Sequence, residues 1–221
     1  MLTEVAAPAR PFGALSGQLG ELIDKYDWAG TSLGPVSRWP LTVRTTVELI
    51  LRSPLPCVTL WGREGLMIYN QGYADIAAER HPALLGMPVR AGWPEAATFN
   101  DHVMTVGMAG GTLSYRDQAM TLSRGGRQGP AWLNLDYSPI VDPDGSVLGV
   151  IAWVIETTGK VRAQRLLDRE RDQERARLQA MFEQAPGFVA RLAGPDHVFQ
   201  LANTAWMALV GERPLIGKPV R

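Results

Sequence analysis

The sequence predicts an α+β fold: a five-stranded antiparallel sheet with helices on one face, an N-terminal helical leader and a C-terminal linker helix. Three observations carry this. Two β-rich runs, CVTLW and LMIYN, are separated only by GREG, whose glycines tolerate a hairpin turn. Three further strand candidates follow one another after a stretch of short helical patterns. From Lys160 onward the composition switches to alternating Arg/Lys and Asp/Glu, with neither Gly nor Pro before Pro186.

Residues 1 to about 15 are Ala/Pro-rich, without a periodic face, and are expected to be loose. A first helix is predicted from Gly17 to Tyr26, with Leu19, Leu22 and Ile23 on one side. DWAGTSLGPVSRWP holds two Trp, two Gly and two Pro, so it is no regular element. Its tryptophans are costly to leave in water, and the segment is expected to wrap a folded body. After Pro40, Leu41, Val43, Val47, Ile50 and Leu51 recur near the helical period, and Pro54 and Pro56 close that helix.

The hairpin follows, then a short helix from Gln71 to Glu79 with Tyr73 and Ile76 inward. HPALLGMPVRAGWPE reads as short helical turns and loop, and His81 before Pro82 as a structural turn residue. Phe99 to Met108 reads as a helix that stops at Gly110-Gly111. Strands are predicted over Thr112–Leu122, Ala131–Ile140 and Ser146–Thr157, joined by SRGGRQG and DPDG. In the charged run, Asp168 with Arg171, Asp172 with Arg175 and Glu174 with Arg177 can pair across one helical turn. Val161, Leu167, Leu178 and Met181 or Phe182 fall near a seven-residue rhythm, a polar seam that suits either a coiled coil or a solvated single helix.

Net charge is zero over 221 residues, which gives no global drive toward nucleic acid or anionic lipid. The single Cys57 excludes an internal disulfide, and no apolar run approaches the ~18 residues of a membrane span. The expected setting is the cytoplasm.

Two stretches resemble the halves of a PAS domain: WGREGLMIYNQGYADIAAERHPALLG and PAWLNLDYSPIVDPDGSVLGVIAWVIETT. The second carries Trp132, Pro139-Ile140, Asp142 with Gly145, and Glu156-Thr157-Thr158 where the family closes on Asp-Ile-Thr. WAGTSLGPVSRWP looks like the leader that precedes PAS domains in bacterial, often hybrid, sensor histidine kinases. FEQAPGFVARL, HVFQLAN and TAWMALVG with LIGKP resemble the start of a second PAS domain, with His197 on its hairpin. The implied organisation is a leader over 1–40, a PAS domain over 41–158, a charged linker helix over 159–185 and an incomplete second PAS domain over 186–221. The chain is accordingly expected to be a piece of a longer protein.

The resemblance implies a cavity between sheet and helices. Its candidate lining is Leu60, Ile68, Tyr73, Trp93, Phe99, Val103, Leu135, Tyr137 and Val150, set against the simpler reading that these residues fill the core. Haem-binding relatives use a His on the long central helix. His102 lies there and is the candidate iron ligand of a gas or redox sensor, against a surface or capping role beside Asp101. Flavin adduct formation needs an Asn-Cys-Arg-Phe context that this sequence lacks, and Cys57 reads as a small buried apolar residue.

The expected function is a non-catalytic signal-input module of a two-component system: a homodimer acting on a downstream kinase through the linker helix, with a small-molecule ligand and no nucleic acid. Glu156, Thr157 and Thr158 form the expected signal junction, with Glu156 paired to a basic residue. The runner-up from another class is a small cavity enzyme with Asp136 as base.

Overall fold

The computed structural model describes residues 12–124, 127–211 and 214–220. The predicted loose N-terminus lies outside the described residues up to position 11, as do positions 125–126 of the SRGGRQG turn. The chain divides into two units, residues 1–161 and 162–221.

In the first unit the elements are α1 (Gly13–Lys25), α2 (Leu41–Arg52), β1 (Cys57–Trp61), β2 (Leu66–Tyr69), α3 (Gln71–Ala77), α4 (Val89–Gly92), α5 (Ala97–Met108), β3 (Leu113–Arg124), β4 (Arg127–Val141) and β5 (Val147–Glu156). Helix α6 (Thr158–Glu183) starts here and runs on into the second unit, which holds β6 (Ala190–Ala193), β7 (Val198–Ala202) and α7 (Thr204–Val210). The five strands of the first unit pair antiparallel in the order β2-β1-β5-β4-β3. The predicted α+β class and five-stranded antiparallel sheet are therefore what the chain forms.

The first helix begins earlier than its apolar pattern, but Ser16 and Gly17 interrupt it, and Gly17 takes the positive φ of 50° that glycine tolerates. Upstream of that kink the chain doubles back. Phe12 N–H and Gly13 N–H both donate to the Asp24 carboxylate, at 3.0 and 2.8 Å. Phe12 then packs on Trp39, and Trp39 on the edge of Trp28, with ring centroids 5.9 and 5.2 Å apart. Each indole N–H has a carbonyl acceptor: Trp28 Nε1 donates to Ile23 O and Trp39 Nε1 to Gly34 O, both at 2.8 Å. The leader is thus irregular in backbone yet fully satisfied inside, which is the condition for burying tryptophan.

Every residue of β1 and β2 is buried. Side chains alternate along a strand, so both faces of the sheet are covered at this end. On one face lie Val58 and Leu60, under α3, α4 and α5; the other face, carrying Cys57, Thr59 and Trp61, is closed by α2.

Asn70 ties the hairpin to the chain that enters it. It is 1% exposed. Its Oδ1 accepts from Cys57 N–H and Tyr73 N–H, both at 3.0 Å, so it caps α3 and pins the start of β1 together. Its Nδ2 donates to Ser53 O at 3.1 Å and Leu55 O at 2.7 Å. The second unit repeats this arrangement. Asn203, 0% exposed, accepts from Val189 N–H (3.1 Å) and Trp206 N–H (3.0 Å) and donates to Gly187 O (2.8 Å). The strand edge is repeated too. Gly86 N–H donates to Met67 O as Gly217 N–H donates to Phe199 O, and Pro88 bridges Leu66 as Pro219 bridges Val198.

Replacing Asn70 by Ala removes four bonds at once and strands two buried N–H groups and two carbonyls. The expected cost is about 2–4 kcal/mol in denaturant unfolding of the first unit. A loss under about 1 kcal/mol would mean that the hairpin does not depend on this network.

Candidate functional site

Between the sheet and α3–α5 lies a cavity of about 60 Å3. Of the expected residues, Leu60, Tyr73, Trp93, Leu135 and Tyr137 line it. Val58, Ile76, Val89, Ala96, Asn100, Met120, Leu122, Leu133 and Val154 complete the wall.

Four expected residues are placed elsewhere, for two reasons. Ile68 pairs across the ladder with Thr59 and shares its face, which turns it away from Leu60 and the cavity. Val103, Val150 and Phe99 do lie between sheet and helix, but at places with no free space. Gly107 lets α5 approach β5 so closely that a Cβ there would stand 2.4 Å from Val150 Cγ2, and this contact closes that end of the interior. Phe99 stacks behind the wall against Tyr115 and Tyr137, with centroids 5.0 and 6.3 Å away.

His102 is exposed on α5, whereas its neighbour Val103 points inward with 0% exposure. The haem-ligand expectation for His102 is corrected accordingly: the helical period turns its imidazole out of the cavity. The cavity volume is also well below the ~300–1,000 Å3 of pockets that enclose larger ligands. Cys57 lies on the face opposite Val58 and Leu60, and burial pushes its thiol up to about 12, so it is neither in the cavity nor a thiolate.

Asp136 is corrected too. It sits between Leu135 and Tyr137 on β4, so its side chain emerges on the other face of the sheet. There Ser114 Oγ and Arg116 Nη1 donate to its Oδ1 at 2.7 and 2.8 Å and hold its carboxyl below the usual carboxylate range. A base for cavity chemistry needs the reverse on both counts. The lining contains no carboxylate, His, Lys, Ser or Cys.

One wall is braced by charge. Trp93 Nε1 donates to Tyr73 Oη at 2.9 Å from inside, while the Arg80 guanidinium lies 4.5 Å over the Trp93 ring from outside. Arg80 donates to Gly92 O at 2.6 Å and to Glu95 Oε1 at 2.8 Å, and the same oxygen accepts from Ser123 N–H at 3.1 Å. This chain ties the helical wall to β3. Burial pushes the Glu95 carboxyl up, but its own N–H, the Ser123 N–H and Arg80 outweigh that and hold it below its ordinary value.

At the exit from the sheet, Thr157 N–H donates to Trp132 O at 2.7 Å and Trp132 N–H to Thr158 Oγ1 at 3.0 Å. Thr158 Oγ1 in turn donates to Glu156 Oε1 at 2.7 Å. The three expected junction residues therefore meet at the start of α6. A fourth residue joins them. A bulge in β3 between Tyr115 and Gln118 puts Asp117 at φ 46°, held by its N–H to Asn134 Oδ1 at 2.8 Å. The Thr157 hydroxyl and Lys160, whose Nζ is 3.4 Å from Oδ2, hold the Asp117 carboxyl below the usual range. Lys160 is thus engaged by Asp117.

A sheet in the order β2-β1-β5-β4-β3, with the helices between β2 and β3 packed over one face, is the PAS fold. No family model matches the chain, and no curated protein matches it. Among solved structures, the PAS domain of BvgS from Bordetella pertussis is 20% identical, covering 59% of this chain and 97% of that one, with a TM-score of 0.43. An RNA-binding light-oxygen-voltage receptor is 14% identical over 66% of this chain and 42% of its own, with a TM-score of 0.43. The PAS domain of a Colwellia psychrerythraea protein is 11% identical over 53% and 98%, with a TM-score of 0.40. Likenesses at these values decide nothing further, and the fold rests on the sheet order and the helix placement.

Because the folded Glu95 value lies below the unfolded one, its contribution to stability is present above the ordinary carboxylate range. It is lost as pH falls through the depressed folded value. Glu95→Gln is therefore expected to cost about 1–3 kcal/mol at neutral pH. It should also flatten the loss of stability on acidification, as read from thermal unfolding at several pH values. Equal acid sensitivity in both proteins would remove the brace from this account.

Proposed function

We propose that residues 41–158 are the sensory module of a bacterial signalling protein, and that occupancy of the cavity is reported through α6 to a downstream output domain. One observation carries the reading: β4 serves both ends. It lends Leu133, Leu135 and Tyr137 to the cavity wall, and the next residue back, Trp132, holds Thr157 and Thr158 at the start of α6. A shift of β4 of a few tenths of an ångström at the cavity is then felt at the helix without any intervening loop.

Residues 162–180 of α6 are exposed throughout. Leu167, Leu178 and Met181 are 54%, 56% and 60% exposed, which supports a second copy of the helix as their cover in a homodimer. Of the predicted pairings along it, Glu174 with Arg177 is formed, at 4.0 Å. A seam this polar leaves small energy gaps between helix registers, so modest ligand energies can shift them. The repeated Asn70 and Asn203 networks support residues 186–221 as the opening of a second module of the same kind. The leader and the closing Glu156-Thr157-Thr158 favour a histidine kinase of a two-component system as the parent protein. Among the described residues no helix is long and apolar enough to cross a membrane.

Thr158→Val removes the hydroxyl between Trp132 and Glu156. It should speed amide exchange at Val161, which donates to Thr157 O, by about fivefold, the value of ~1 kcal/mol, with little change in global unfolding. Leu135→Phe fills the cavity and stands in for a ligand. Exchange over residues 157–161 should change in that variant, and the full chain should be a dimer by light scattering. A folded Leu135→Phe protein with wild-type exchange there, or a monomer at all concentrations, overturns the corresponding half of the reading.

A further inference from the structure

The cavity is apolar except for a few groups at its wall, each of which can donate a hydrogen bond. Tyr73 Oη accepts from the Trp93 indole and keeps its own proton to give. Tyr137 is 7% exposed, and its hydroxyl has no hydrogen-bond partner among the described residues. Asn100 is also 7% exposed, and its carboxamide has no partner among the described residues either. Asn100 stands on α5 one position after Phe99, which the sequence pattern had marked as inward, and a polar residue on an apolar helix face is a cost unless something meets it. Both side chains, Tyr137 and Asn100, border the free space, where an occupant can meet them.

Water is the first alternative. A cavity of about 60 Å3 has room for several waters, each of which needs 2–4 polar partners. The wall offers three polar side chains, and otherwise Val, Leu, Ile, Met, Ala and the Trp93 ring, so a water cluster there is left short of bonds. A charged ligand fails for a different reason: no Lys, Arg, His, Asp or Glu lines the space, and an unpaired charge is not brought into such a site. An occupant with one strong acceptor and an apolar body meets the wall's hydrogen-bond donors and its apolar surface. A carbonyl oxygen has two lone pairs for the tyrosine and carboxamide donors. The volume sets the size, since a dry cavity of roughly 150 Å3 takes benzene, and this one is less than half as large.

We infer that the cavity binds an uncharged carbonyl compound of about four non-hydrogen atoms, a small ketone or carboxamide, with its oxygen at Asn100 and Tyr137 and its alkyl part against Leu60, Leu133, Leu135 and Val154. This rests on the sensory reading of the same cavity and names the chemistry it senses. A ligand so small binds no tighter than tens of micromolar, so the expected dissociation constant is about 0.1–10 mM.

The test is a titration of the full chain, labelled at Leu, Val and Ile methyls, with acetone, with acetamide and with acetate, followed by NMR. Saturable shifts confined to methyls of the cavity wall are expected with acetone or acetamide, and none with acetate. Asn100→Leu keeps the side-chain volume, removes the donor and should weaken binding at least about tenfold, one hydrogen bond's worth in a dry site. No saturation by about 100 mM, equal binding of acetate, or unchanged affinity in a folded Asn100→Leu protein overturns the inference. The amide signals of residues 157–161 separate it from the sensory reading. Cavity shifts without a response there leave the ligand class standing and sink the sensing. An Leu135→Phe response there without ketone or amide binding does the opposite.

Discussion

The alternation of side chains along β4 is the constraint on which the first unit depends. Successive residues of a strand face opposite ways, so Leu133, Leu135 and Tyr137 can wall a cavity only if Asn134 and Asp136 emerge on the other face. Both of those are used. Asn134 holds the bulge that aims Asp117 at Lys160, and Asp136 gathers Ser114 and Arg116. The backbone of the same strand pairs with β3, with β5 and with the first residues of α6. A shift of its register by one residue would empty the cavity wall, bury a carboxylate and release the helix together.

The two ends of the sheet are treated differently. Around β1 and β2 both faces are covered, and the irregular leader contributes a cluster of Phe12, Trp28 and Trp39 whose indole nitrogens are all satisfied internally. Toward β3 and β4 the outer face carries Ser114, Arg116 and Asp136 instead. The cavity therefore has its rigid side at the hairpin, where Asn70 fixes the chain with four bonds. Its other side, at β3–β4, is tied to the helical wall through Arg80, Glu95 and Ser123. Helix α6 leaves from the β3–β4 side, where Trp132 and Asp117 hold its first residues.

Helix α6 has the opposite character. It spans 26 residues, with Thr158 its sole buried member among the described residues. Charged residues on every side keep it in water, and isolated helices are marginal unless something packs on them. Its stability and its angle are thus set by what grips its ends and by any partner along its length.

Much of this was legible in the residues. The hairpin, the amphipathic α2, the three later strands and the charged helix follow from periodicity and turn chemistry, both local properties, and β1 begins and ends where CVTLW does. Five of nine expected cavity residues line the space for the same reason: the period shows which side chains turn inward. What the period cannot show is where inward side chains meet each other and where they leave room. That was decided by the close approach of α5 to β5 at Gly107, which buries Val103 and Val150 in solid packing and leaves the open space farther along, at Asn100. Asn100 could have been noticed as a polar residue next to Phe99 on an apolar helix. Asp117 could not, because a bulge is a property of two strands paired out of step. The sequence by itself determined which faces are apolar, where the chain turns and which elements form. Only the tertiary structure decided that β4 joins the cavity to the helix, because Trp132, which holds Thr157 and Thr158 there, lies far from them in the chain and local periodicity says nothing of which distant strand they meet.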